Sequence, residues 1–214
     1  MLDRLMVDPD DGAPSPAGWQ QVTPKAVRGF LLRLVLWYTL FLIPGTGIDS
    51  AYGAFFRFSG NAFLGSFVGD VSLDFRAEDS AKGMDTLIVL TEKTKGKKPV
   101  EGKKPTNSRL MGYLPTAFLV ALVLATKAPW SRRRRRLLWG LPLICGVVAV
   151  RVSIDIYATL APSPAFASVS ISDSLRPTLS FIHELAAYSP STGFIAAGIV
   201  WIGVTLVTEP KARA

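Results

Sequence analysis

The amino-acid sequence predicts an all-α polytopic membrane protein with about four transmembrane helices, one interfacial helix and a small extracytoplasmic β-hairpin. Three observations predict this fold class. The 214 residues are 49% hydrophobic, with a mean hydropathy of +0.32. Only 19% are charged, whereas about a quarter is usual for soluble domains. The apolar residues also collect in blocks of membrane-spanning length, separated by charged connectors.

Composition excludes several classes of function. The net charge is +8, and most basic residues stand beside apolar blocks, so we expect them to face a lipid bilayer and not nucleic acid. Cys145 is the single cysteine, which excludes an internal disulfide and a multi-cysteine metal site. His183 is the single histidine, so a histidine-rich metal site is excluded as well. We therefore expect no metal and no cofactor.

Four apolar blocks are long enough to predict spans when their flanking residues are included. A polar tail over residues 1–24 precedes a single membrane domain over 25–208, and a short tail follows over 209–214. The tail at the start is turn-rich, and we expect it to be disordered. The predicted spans cover about residues 28–45, 109–127, 137–160 and 191–208.

The segment between the first two spans, residues 51–68, predicts an interfacial helix. It carries five phenylalanines, but also three glycines and Arg57. A central arginine costs a lipid-exposed span about 2.5 kcal/mol or more. An amphipathic helix in the membrane interface avoids that cost. A tilted or re-entrant span is the alternative.

Residues 70–106 predict the β-hairpin and a lysine-rich loop outside the bilayer. VSLDF alternates between apolar and polar residues, and TLIVLT is a short β-rich run, so the two segments predict paired strands. TEKTKGKKPVEGKKP has six lysines among fifteen residues and predicts a solvated loop.

Orientation follows from the arginines at 132–136, which directly adjoin two predicted spans. The positive-inside rule counts proximity, so these arginines are predicted to be cytoplasmic. Both termini then fall inside, and residues 161–190 fall outside with the hairpin. The prediction holds only if residues 51–68 do not cross the membrane.

Polar residues at the predicted outer face form the candidate site. Arg151 and Asp155 are four residues apart, share one helix face and are expected to pair. A charged residue within a span by default suggests function, although the pair could equally fix helix packing. Ser108 precedes the second span and His183 precedes the last, so both are predicted to lie at the same face.

This layout resembles the exosortase/archaeosortase family of membrane-embedded, sortase-like cysteine transpeptidases. The stretch from SRLMGYLPTAF to GVVAVRVSIDIY is similar to the family core. Arg151 within AVRVSI matches its arginine, and His183 within FIHELAAY matches its histidine. The resemblance implies a multi-pass protein of the bacterial inner membrane. It also implies a partner such as the C-terminal sorting segment of an exported protein.

One departure bears on activity, because the expected nucleophilic cysteine is absent. Its place is taken by PTNSRLMGY, in which Ser108 is the nearest hydroxyl. Cys145 lies six residues before Arg151, about 9 Å deeper and 240° around the helix, so it is expected to be a core residue.

Three hypotheses follow. The first is an exosortase-like protein without thiol catalysis, which binds or helps to process or assemble membrane or exported proteins. The second is an active transpeptidase or protease that uses Ser108, His183 and Arg151. The third is a small structural subunit of a larger membrane complex.

Overall fold

The computed structural model describes residues 24–43, 47–65, 71–78, 83–92, 99–160, 163, 174–185 and 189–208. The predicted tails, apart from Pro24 at the start of the first helix, lie outside these residues. The helices are α1 Pro24–Leu42, α2 Ile48–Leu64, α3 Leu114–Ala125, α4 Trp130–Leu160, α5 Arg176–His183 and α6 Pro190–Thr208. A π-helical turn, Arg109–Tyr113, leads into α3. The strands are β1 Val71–Ala77, β2 Thr86–Glu92 and β3 Val100–Thr106.

Helix α3 is the centre of the helical layer. It is apolar around its whole circumference, as expected for a helix buried on all sides, and it packs against α1, α4 and α6. Leu119 of α3 forms a fully buried cluster with Ile144 of α4 and Ala197 of α6. Among the described helices, α4 and the Ser191–Thr208 part of α6 are long and apolar enough to cross a membrane. The segment Arg109–Ala125 is apolar but shorter, so four spans stay a prediction.

The strands form one antiparallel sheet in the order β1-β2-β3. The predicted hairpin of β1 and β2 is confirmed within a mostly helical fold, and a third strand beyond the predicted two completes the sheet. The predicted solvated loop is therefore wrong over Val100–Thr106, which pairs with β2 along its whole length. Burial alternates along β3, as expected for a strand with one covered face. Every second residue is shielded by the fold, and its neighbours are exposed.

The sheet packs on the last three turns of α4. Val71, Leu73 and Phe75 on β1 contact a cluster that runs along α4 from Val148 to Leu160. Helix α4 has 31 residues and is therefore about 46 Å long, against about 30 Å for a hydrocarbon core. The helix is long enough to cross a bilayer and still extend beside the sheet.

Helix α2 falls on the predicted interfacial segment. One side packs on β1, where the Asn61 side chain accepts from the Phe75 amide at 2.7 Å and donates to the Phe75 carbonyl at 3.1 Å. On the other side, Phe58 and Phe63 are 73% and 82% exposed. The helix therefore has one face on protein and one exposed apolar face, and its interfacial position stays a prediction.

Candidate functional site

Arg151 lies on the sheet-covered part of α4 and is only 4% exposed. Its guanidinium donates to the Met111 carbonyl of the π-helical turn at 3.2 Å and to the Ser189 carbonyl, just before α6, at 3.4 Å. Gly193 lets α6 approach this closely, since an added Cβ would lie 2.7 Å from Arg151 Nη1. The arginine therefore holds three segments of the chain together.

Asp155 lies one turn further along α4, and its carboxylate contacts two side chains. The Lys104 ammonium of β3 is 2.7 Å from Asp155 Oδ1, and His183 Nε2 is 2.9 Å from the same oxygen. Lys104 also donates to the Asp155 carbonyl and to the Thr159 hydroxyl. We call Lys104, Arg151, Asp155 and His183 the α4 polar cluster.

The structure thus brings together three of the residues chosen from the sequence. Arg151, Asp155 and His183 lie in the cluster, whereas the sequence places Lys104 in a loop and does not indicate its role. The sequence carries no clear signal for it, because the residues of Val100–Thr106 do not alternate between apolar and polar types.

Ser108 lies in a second group of polar contacts, beside the π-helical turn. Its hydroxyl donates to Asp85 Oδ2, and its amide donates to Asp85 Oδ1 at 2.8 Å. Arg57 of α2 donates to the Asp85 carbonyl at 3.2 Å. We call Arg57, Asp85 and Ser108 the serine cluster. The sequence does not mark Asp85 as a site residue, because Asp85 immediately precedes β2 and belongs to the predicted turn.

The serine cluster is closed by α2. Ser108 is 1% exposed, and a Cβ added at Gly53 would lie 2.8 Å from Asp85 Oδ2 and 3.5 Å from Ser108 Oγ. A nucleophilic hydroxyl needs an activating base and room for the substrate beside it. The Asp85 carboxylate provides a hydrogen-bond acceptor, and the backbone of α2 at Gly53 lies close to both the carboxylate and the hydroxyl. Ser108 and His183 contact different carboxylates, Asp85 and Asp155.

An apolar groove of about 670 Å³ separates α2 from α4. Cys145 lines this groove together with Gly146 and Ala149, away from both polar clusters. At its edge Tyr52 is 3.5 Å from the Thr116 hydroxyl, and burial raises the pKa of Tyr52 to about 12, so the phenol is neutral. Among the described residues, no three His, Cys, Asp or Glu side chains are grouped as metal ligands.

Comparison with known proteins agrees with the sequence prediction. The family described as exosortase H-associated membrane protein matches residues 24–184, which is more than half of the chain and includes both polar clusters. No curated protein and no solved structure matches. The match confirms the predicted relationship to exosortases. The description of the family names a membrane protein associated with exosortase H. The chain therefore belongs to the family of exosortase H-associated membrane proteins.

Proposed function

We propose that this protein binds an exosortase in the bacterial inner membrane and assists the processing or assembly of exported proteins without cleaving peptide bonds itself. The family description supports the association. The absent thiol supports the lack of cleavage, because the single cysteine, Cys145, lines an apolar groove and not a polar site.

The observation that carries the proposal is the closed serine cluster. At the position where the resemblance expects a nucleophile, Ser108 is buried, bonded twice to Asp85 and covered by the backbone of α2 at Gly53. A hydroxyl in this arrangement stabilises the contact between α2, the sheet and the π-helical turn. Its role is that of a structural hydrogen bond, typically about 1 kcal/mol.

The α4 polar cluster has a related role in this proposal. Arg151 and Asp155 attach β3, the π-helical turn, α5 and the start of α6 to a single helix. A helix anchored at so many points presents a fixed surface where the chain leaves the membrane. Such a surface suits a protein that binds and orients a neighbour. In the proposed orientation this end of α4 lies outside and the arginines at 132–136 lie in the cytoplasm.

Co-purification tests the association, and a serine variant tests the absence of catalysis. We expect the tagged protein to retain exosortase in mild detergent, and Ser108→Ala to retain it equally. We also expect Ser108→Ala to leave the processing of exported proteins intact in cells. Ser72→Ala is the matched control, because Ser72 likewise donates its hydroxyl within the fold, to the Thr91 carbonyl.

The hydrogen bond from Ser108 to Asp85 favours one second candidate, an active peptidase or transpeptidase that uses this serine with His183 and Arg151. It predicts that Ser108→Ala and His183→Ala each abolish processing while protein level and exosortase binding stay normal. That result would replace the proposal. Co-purification with a fixed set of other subunits and no exosortase would instead favour a structural subunit of another complex.

A further inference from the structure

The groove between α2 and α4 is lined mainly by apolar side chains, with Ser59 and Tyr52 as the polar ones. Phe55, Phe58 and Phe63 line the α2 side, while Cys145, Gly146 and Ala149 line the α4 side. Small residues on α4 create the space, since a Cβ added at Gly146 would meet nothing within 4 Å. Such a surface suits hydrocarbon better than a polar ligand.

The groove face of α4 continues towards the basic end of the helix. Arg134 and Arg135 precede Leu141 and Pro142 by seven residues, almost two turns, so they lie on the same face. Both arginines are exposed, and Leu138 between them and the groove is 70% exposed. A continuous track therefore runs from these two exposed cations, over Leu138, into the groove.

Distance along α4 matches this track to the length of an acyl chain. Cys145 lies ten residues from Arg135, about 15 Å, which is the depth of one leaflet.

The charge at one end of the track favours a phospholipid over a protein helix. A phospholipid carries a charged head group on a thin hydrocarbon chain, so it matches exposed arginines followed by an apolar surface. The hydrocarbon chain can extend along the track into the groove.

From these observations we infer that the protein binds an anionic phospholipid, with its phosphate at Arg134 and Arg135 and one acyl chain in the groove at Cys145 and Gly146. The charge of the two arginines selects an anionic head group, as basic clusters beside membrane helices do. The site is independent of the exosortase association proposed above, because it uses neither polar cluster.

Native mass spectrometry of the full chain in mild detergent tests the inference, with phosphatidylglycerol and phosphatidylcholine of identical acyl chains as the probes. We expect one phosphatidylglycerol to bind per chain. Arg134→Gln with Arg135→Gln should weaken it about thirty-fold. The matched control is Lys127→Gln with Arg132→Gln, which removes the same amount of charge. Arg132 lies about 120° around the helix from Leu138 and therefore away from the track.

A second variant tests the groove itself. Gly146→Leu places a side chain where the acyl chain would lie and should abolish binding of phosphatidylglycerol without unfolding the protein. Gly198→Leu on α6, where an added Cβ also meets nothing within 4 Å, should bind lipid normally. Bound lipid should likewise slow the reaction of Cys145, the single cysteine, with N-ethylmaleimide, and Arg134→Gln with Arg135→Gln should restore the rate.

Equal binding of the two phospholipids by the wild-type protein would overturn the inference. Unchanged binding of phosphatidylglycerol by Arg134→Gln with Arg135→Gln, or by Gly146→Leu, would also overturn it. A protein that retains no phospholipid, but loses exosortase on Gly146→Leu, would also overturn it, because the groove would then hold a partner helix. Retained lipid with no exosortase in any preparation would support the inference and refute the proposed function.

Discussion

Replacing Asp155 with asparagine removes the negative charge that both Lys104 and His183 contact. The Asp155 side chain is 9% exposed and that of Lys104 is 18% exposed, so both charges are largely shielded from water. Removing one partner of a buried ion pair leaves the other charge unneutralised, which costs about 3–5 kcal/mol. The residual exposure places the expected loss near the lower limit, about 3 kcal/mol.

Thermal unfolding in detergent measures this loss. In a chain of this size, 1 kcal/mol corresponds to about 2–4 °C, so Asp155→Asn should lower the melting temperature by about 6–12 °C. The matched control is Asp74→Asn, because Asp74 pairs with Arg76 at the same 2.7 Å but both side chains are about half exposed. Exposed pairs contribute about 0–1 kcal/mol, so the control should shift the melting temperature by no more than about 4 °C.

Coupling between the two charges checks the explanation. Lys104→Met should destabilise the wild-type protein but have a smaller effect in the Asp155→Asn background, because the ion pair is already broken. Equal melting temperatures for Asp155→Asn and Asp74→Asn would refute the reasoning. Additive effects of the Asp155 and Lys104 substitutions on the melting temperature would show that the ion pair between them does not stabilise the fold.

Two further substitutions test how helices approach the sheet and Arg151. Asn61→Ala should destabilise the fold by about 1–3 kcal/mol, since the substitution leaves the Phe75 amide and carbonyl unpaired. Hydrogen exchange of the Phe75 amide should become faster in this variant. An unchanged exchange rate would contradict the prediction. Gly193→Ala should cost about 1–3 kcal/mol, because the added Cβ would lie 2.6 Å from Pro115 and 2.7 Å from Arg151. The melting temperature should fall, whereas Gly198→Ala on the same helix should leave it unchanged. Equal effects of the two substitutions would show that close approach is unimportant.

Local patterns in the sequence are sufficient to predict the first two strands. Val71, Leu73 and Phe75 alternate with polar residues, and all three lie in the sheet core. The third strand escapes such a prediction, because five of the seven residues in Val100–Thr106 are types depleted in strands. Pairing with β2 along its full length overrides that weak propensity.

The polar clusters were predicted only in part, for a physical reason. Arg151 and Asp155 share a helix face, so their proximity follows from helical geometry alone. Ser108 and Asp85 are 23 residues apart, and no local period relates them; only the arrangement of α2, the sheet and the π-helical turn brings them together. Burial of Ser108 likewise depends on Gly53, which carries no signal in a single sequence.

The Asn61 side chain has a consequence for how copies of the protein behave when crowded. By occupying both backbone groups of Phe75, it blocks edge-to-edge strand pairing between molecules on the β1 side of the sheet. Among the described residues β3 has no strand on its other side, but Pro105 lacks an amide and Lys103 adds charge there. The sheet is thereby protected at both edges against intermolecular aggregation.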